Sequence, residues 1–179
     1  LSFNENDYKK KKGFIKWNPS IKSKSDQQAL WESLNDDRID VIATDHAPHT
    51  LNEKSNNYLN CPSGGPLVQH SLNMMFEHYL NKKITLEKIV QKMCHNPAIL
   101  FRVNKRGFIR KNYFADMVII DPRKNYTVDS NNILYKCGWS PFEGTKFNSK
   151  ITHTFINGNL VYENGLINED FRGKKISFE

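Results

Sequence analysis

The chain has 179 residues, 38% hydrophobic and 25% charged, enough for one ordinary globular domain with a buried core. No apolar run approaches the roughly 20 residues of a membrane span and no apolar signal segment opens the chain, so no membrane partner and a cytoplasmic location are expected. The net charge of +7 raises nucleic acid as a partner, but much of the excess is the Lys9-Lys10-Lys11-Lys12 run, which lacks interleaved aromatics. No nucleic-acid partner is therefore expected. A positive field would instead suit an anionic small molecule. Cys61, Cys94 and Cys137 form no CxxC spacing and read as reduced, inert thiols rather than as a disulfide framework or a zinc site.

Residues 13–17 read as a short apolar strand stopped by Asn18 and Pro19. Ser25 to Gln28 reads as a capping box that opens a helix through Leu34, and a β-branched strand follows over residues 39–44. Strand, helix, strand in that order implies a parallel right-handed crossover, the repeating unit of an α/β barrel. The asparagine-rich stretch 51–60 is too long and too poor in glycine for a tight turn, and predicts a mobile loop.

A helix is expected from near Pro66, with Val68, Leu72, Met75, Phe76, Tyr79 and Leu80 on its inner face. Thr85 starts another, with Leu86, Ile89, Val90 and Met93 inward, and Asn96-Pro97 caps a third that ends near Phe101. His70, His78 and His95 read as hydrogen-bonded helix or junction residues rather than ligands. From Tyr113 the period becomes that of strands. Residues 117–120 form a strand stopped by Asp121-Pro122, and residues 152–156 and 160–162 flank the hairpin signal Asn157-Gly158. A second turn, Asn164-Gly165, returns the chain through Leu166 and Ile167, while His153 alternates along its strand as a surface or half-buried residue.

The most informative segment is the exit of the 39–44 strand, where Asp45, His46 and His49 follow directly. In α/β barrels the chemistry sits where strands end and loops begin. Locally the same residues also read as a turn in which Asp45 bonds backbone N–H groups and both histidines are solvated.

Three motifs taken together, Lys16-Trp17-Asn18-Pro19-Ser20-Ile21-Lys22, Asp45-His46-Ala47-Pro48-His49-Thr50 with Glu53-Lys54, and Cys61-Pro62-Ser63-Gly64-Gly65-Pro66, resemble the C-terminal part of a dihydroorotase of the amidohydrolase superfamily. The family usually continues Asn-Pro with Pro-Leu-Arg where this chain has Ser20-Ile21-Lys22, so Lys22 is given no role. The resemblance implies an α/β fold, the C-terminal portion of a TIM-like (β/α)8 amidohydrolase barrel followed by strands of a small β subdomain. Residues 1–110 would be the last strands and helices of the barrel, and residues 111–179 the β subdomain segment.

The implied activity is a zinc-dependent dihydroorotase, the reversible cyclisation of N-carbamoyl-L-aspartate to L-dihydroorotate in de novo pyrimidine (UMP) biosynthesis. Asp45 would be a metal ligand and the catalytic proton shuttle. Asn18, His49, Ser63 and Gly64 would bind substrate, and His46 would either orient Asp45 or pack. One or two zinc ions are implied, with the remaining ligands outside this chain. Its partners would be the small-molecule substrate and the missing N-terminal part of the same enzyme, with homo-oligomerisation left open, and the isolated chain is expected to be inactive. The alternatives are another cyclic amidohydrolase, a hydantoinase or allantoinase, and a noncatalytic dihydroorotase-like partner protein.

Overall fold

The computed structural model describes residues 1–179. Two compact units emerge. Residues 1–39, 43–75 and 127–146 form the first; residues 40–42, 76–126 and 147–179 form the second.

The first unit is built from short helices and loops. Helix α1 (Tyr8–Lys11) runs into a 3-10 turn over Lys12–Ile15, and helix α2 (Lys24–Asn35) follows. Ser23 caps α2: its hydroxyl accepts the Asp26 N–H while the Asp26 carboxylate accepts the Ser23 N–H. Such a cap is worth about 1 kcal/mol. The expected box at Ser25 is therefore displaced by two residues. Ser25 lies inside the first turn, where its hydroxyl meets that of Ser23, and Asp26 completes the reciprocal pair. Helix α3 (Leu51–Lys54) and a 3-10 turn over Val68–His70 precede α4 (Ser71–Leu80), of which residues 71–75 belong to this unit. Ile15, Trp31, Leu34, Cys61, Met75, Val128, Trp139 and Phe142 make the core.

The two expected barrel strands are not formed as ladders. Residues 13–17 close a helical turn in which the Lys16 N–H donates to the Gly13 carbonyl, because Ile15 reaches full burial that way. The run 39–44 carries no strand either: the Ile39 N–H donates to Ser33 O and the Ile42 N–H to Lys92 O. A parallel strand exists only where a neighbour receives its slanted bonds. None lies alongside these runs in residues 1–179.

The second unit joins helices to an antiparallel sheet. Helices α5 (Leu86–Val90) and α6 (Asn96–Leu100) are one continuous rod, joined by a π-turn over Gln91–His95. Thr85 caps its start as expected, accepting the Lys88 N–H. The third helix does not start afresh at Asn96. The π-turn carries the chain past Pro97, which has no N–H to give to the preceding turn. His95 stacks flat on Phe108 at 4.2 Å.

Strands β1 (Met117–Asp121), β4 (Lys150–Ile156), β5 (Asn159–Glu163) and β6 (Leu166–Ile167) pair antiparallel in that order. A separate pair joins β2 (Tyr126–Thr127) to β3 (Lys146–Phe147). The hairpin between β4 and β5 turns on Asn157 and Gly158, both at positive φ, 53° and 85°, as a two-residue primed turn requires. Asp116 fixes it from outside, accepting the Asn157 N–H at 2.8 Å and pairing with Arg106, which also donates to Asn157 Oδ1.

Candidate functional site

Asp45 leaves the 39–44 run with φ at 48°. The left-handed region is uncommon outside glycine but tolerated by aspartate. Its side chain is exposed and makes no hydrogen bond or ion pair within the chain. That differs from the local turn reading, in which the carboxylate would have bonded backbone N–H groups.

The next residue is held. His46 Nδ1 accepts the Leu67 N–H at 3.0 Å and the Val68 N–H at 3.3 Å, and the ring leans on Tyr135 at 5.3 Å. An accepting Nδ1 places the proton of the neutral ring on Nε2. His46 thus ties its loop to residues 65–68, where it also forms a parallel bridge with Gly65.

His49 Nε2 lies 3.0 Å from the Ser63 carbonyl oxygen, so Nε2 is the donor there and Nδ1 remains free to accept. Nδ1 stands 4.0 Å from the Glu53 carboxylate. Glu53 belongs to the Thr50 capping box, and the Thr50 hydroxyl and N–H hold its carboxyl below the usual range. Gly64 sits at φ 126°, and a Cβ there would fall 2.5 Å from the Ala47 oxygen and 3.3 Å from His49 Cδ2. Only glycine lets these backbones approach so closely. Next to it, a Cβ on Gly65 would fall 2.9 Å from Trp17 Nε1.

Three segments therefore converge. The Gly64 N–H donates to Lys16 O at 2.9 Å and the Ala47 N–H donates to Gly65 O at 3.2 Å, which places the 16–18 turn and the 45–49 loop against the 63–65 loop. His49, Ser63 and Gly64 are in direct contact. Asn18 hangs from the first segment, exposed and free of intramolecular hydrogen bonds, and Asp45 stands at the start of the second.

Lys54 and Trp139 support this arrangement, and sequence reasoning gave neither a role. Lys54 is 1% exposed and its ammonium donates to the Pro62 and Gly64 oxygens at 2.9 Å and to Lys16 O at 3.4 Å. The expected loop over 51–60 is corrected accordingly: Thr50 caps a helix there, Asn57 O accepts the Asn60 and Cys61 N–H groups, and Lys54 and Cys61 anchor both ends in the core. The polar composition concealed a buried lysine; its place within the Glu53-Lys54 motif was the available signal. Further in, His70 is fully buried with Nδ1 3.3 Å from Ser140 Oγ and 3.5 Å from Tyr135 Oη. Burial pushes its pKa down to about 4 and pushes that of Tyr135 up to about 12.

A zinc ion needs three or more protein ligands. The Asp45 carboxylate is available to one, whereas His46 Nδ1 and His49 Nε2 are engaged with backbone groups. No three His, Cys, Asp or Glu side chains of residues 1–179 gather into a site that could hold a metal. These residues fit one corner of a zinc site and not a whole one.

The amidohydrolase family profile matches residues 8–161. Among curated proteins, the chain is similar to the dihydroorotase of Clostridioides difficile, 38% identical over 148 residues, covering 82% of this chain and 34% of that protein. It is similar to the dihydroorotase of Pyrococcus furiosus, 34% identical over 176 residues, covering 98% of this chain and 41% of that protein. Among solved structures, L-hydantoinase (dihydropyrimidinase) from Arthrobacter aurescens superposes with a TM-score of 0.83 at 28% identity, over 93% of this chain and 38% of that one. The chain thus spans 34% to 41% of the length of these curated relatives.

Proposed function

Because the chain belongs to the amidohydrolase family, we propose that the protein carrying it is a zinc-dependent dihydroorotase of pyrimidine synthesis, opening and closing the cyclic amide between L-dihydroorotate and N-carbamoyl-L-aspartate. The observation that carries this reading is Asp45: a carboxylate held out at positive φ, with no partner in the chain, beside the His49, Ser63 and Gly64 cluster. In the same reading, residues 1–110 are the last barrel elements and residues 111–179 part of a small β subdomain. The remaining ligands come from an N-terminal part of the same enzyme, and the enzyme works in the cytoplasm. No helix of the chain is long and apolar enough to cross a membrane.

Zinc, when bound, supplies a water whose pKa falls to about 7 and polarises the amide carbonyl. The work of this chain is positioning and proton transfer. Asp45 Oδ takes the proton of the attacking water and returns it to the ring nitrogen that leaves, a task suited to a carboxylate with no competing internal bond. The Asn18 amide pairs with the N–H and C=O edge of the ring. Ser63 holds the ring through its N–H, and Gly64, whose own N–H and oxygen are engaged with Lys16 O and Lys54, lets the ring approach closely. His49, fixed through Nε2 on Ser63 O, takes the exocyclic carboxylate of the substrate.

A second reading is a hydantoinase, favoured by the likeness in fold to L-hydantoinase. The two are separated by assaying the full-length, zinc-loaded polypeptide on dihydroorotate and on a hydantoin that lacks the carboxylate. Dihydroorotate should be preferred, and Asp45→Asn should lower turnover by about 10²–10⁴-fold with the protein still folded. Preference for the uncharged ring would transfer the protein to the second reading. No turnover of either ring at full zinc occupancy would make it a noncatalytic relative.

A further inference from the structure

Lys54 has an unusual environment for a lysine. It is 1% exposed, no carboxylate pairs with it, and the ring of Trp139 lies 5.9 Å from its Nζ. A buried ammonium is costly unless its protons find acceptors. Here the acceptors are the carbonyl oxygens of Lys16, Pro62 and Gly64, drawn from two segments of the chain that are far apart in sequence. Lys16 reinforces the arrangement from the other direction, its own ammonium donating to the Tyr58, Leu59 and Cys61 oxygens.

Three carbonyls converging on one interior point would repel one another if nothing stood between them. An apolar side chain would leave the Pro62 and Gly64 oxygens without a donor, while Lys16 O would keep only the Gly64 N–H. The position therefore calls for a donor that reaches all three, and Lys54 joins the Gly64 N–H in fixing how far the 16–18 turn stands from the 62–65 loop. Because Ala47 N–H and His46 bridge to Gly65, the 45–49 loop follows that loop.

We infer that Lys54 is a positioning residue of the site: its ammonium sets the spacing of the 16–18, 45–49 and 62–65 segments, and through them the grip on the substrate ring. Lys54 does not touch the reacting atoms. The ring-binding part of this inference rests on the dihydroorotase reading above; the spacing part does not. Burial lowers the pKa of Lys54, with Cys61 opposing the shift and Lys16 adding to it, as expected of a charge held for its hydrogen bonds rather than for an ion pair.

The test uses the full-length polypeptide with Lys54→Met, which keeps an unbranched side chain one atom shorter and removes its donors, and Lys54→Gln, which keeps two. Lys54→Met should raise KM for dihydroorotate about tenfold, with kcat within about threefold and zinc content as in the wild type; Lys54→Gln should fall between. Backbone amide exchange is measured in parallel and does not depend on turnover. The Gly64 and Ala47 amides should exchange about tenfold faster in Lys54→Met, while the amides of the β4 and β5 hairpin keep their wild-type rates. A wild-type enzyme inactive on dihydroorotate would defeat the functional reading, and the exchange result would still decide the role of Lys54. Unchanged exchange at Gly64 and Ala47, or a fall in kcat at constant KM, would overturn the inference. If Lys54→Met does not fold, Lys54→Gln carries the same two measurements.

Discussion

The Trp139 indole Nε1 donates to the His49 carbonyl oxygen at 2.8 Å, joining residues ninety apart in sequence. The backbone of the candidate substrate-binding histidine is thus set by the 127–146 loop, and the same ring lies beneath Lys54. Trp139→Phe keeps an aromatic ring but orphans the His49 oxygen and leaves a void in a core position that is 2% exposed. It should lower stability by about 1–3 kcal/mol. Urea unfolding checks this, and a midpoint unchanged from wild type would mean that water replaces the indole at no cost.

Gly64 and Gly158 both have positive φ, 126° and 85°, yet differ in surroundings. At Gly158 an added Cβ meets nothing within 4 Å; at Gly64 it meets Ala47 O at 2.5 Å. Gly158→Ala should therefore cost only the backbone strain, about 1–2 kcal/mol. Gly64→Ala should cost more, because two loops of the site must separate. Thermal unfolding of both variants compares them directly, and equal losses would remove the close approach from the explanation.

His70 has a pKa lowered by burial from 6.5 to about 4, so the folded state resists a proton that the unfolded chain accepts. His78 is lowered to about 4 as well, by burial first and then by Lys83. Between pH 4 and 6.5 the unfolded chain therefore binds more protons, and stability rises with pH across that window. It is fully present above the ordinary histidine pKa and lost as pH falls towards 4. His70 alone accounts for on the order of 3 kcal/mol, since each pKa unit is worth about 1.4 kcal/mol. His70→Gln should flatten part of the slope of unfolding free energy between pH 4.5 and 6.5. A slope as steep as in the wild type would assign the acid sensitivity elsewhere.

The β hairpin was legible in the sequence. Asn157-Gly158 and Asn164-Gly165 adopt the positive φ values that such turns need, and the apolar runs on either side pair as expected. The helix at Thr85 was legible for the same reason, because a cap acts within three residues. The candidate site was legible as a set of residue types. Asp45, His49, Asn18, Ser63 and Gly64 could be named from their motifs, and their segments do converge.

The sequence alone did not show which atoms remain available, since a histidine nitrogen becomes donor or acceptor only when a distant backbone group meets it. His46 Nδ1 receives N–H groups from Leu67 and Val68, and His49 Nε2 gives its proton to Ser63 O, whereas Asp45 keeps its carboxylate free. Nor did it show that the 13–17 and 39–44 runs would carry no ladder. A β-branched run prefers an extended path locally, but a strand also requires a neighbour to bond. The polar 51–60 stretch concealed a buried lysine for a related reason: the carbonyls that accept its protons lie in the 62–64 and 16–18 segments. Turn and cap chemistry belongs to adjacent residues and is written in the sequence. Burial, tautomer and strand pairing depend on residues brought close only by the folded chain, and there the tertiary structure decided.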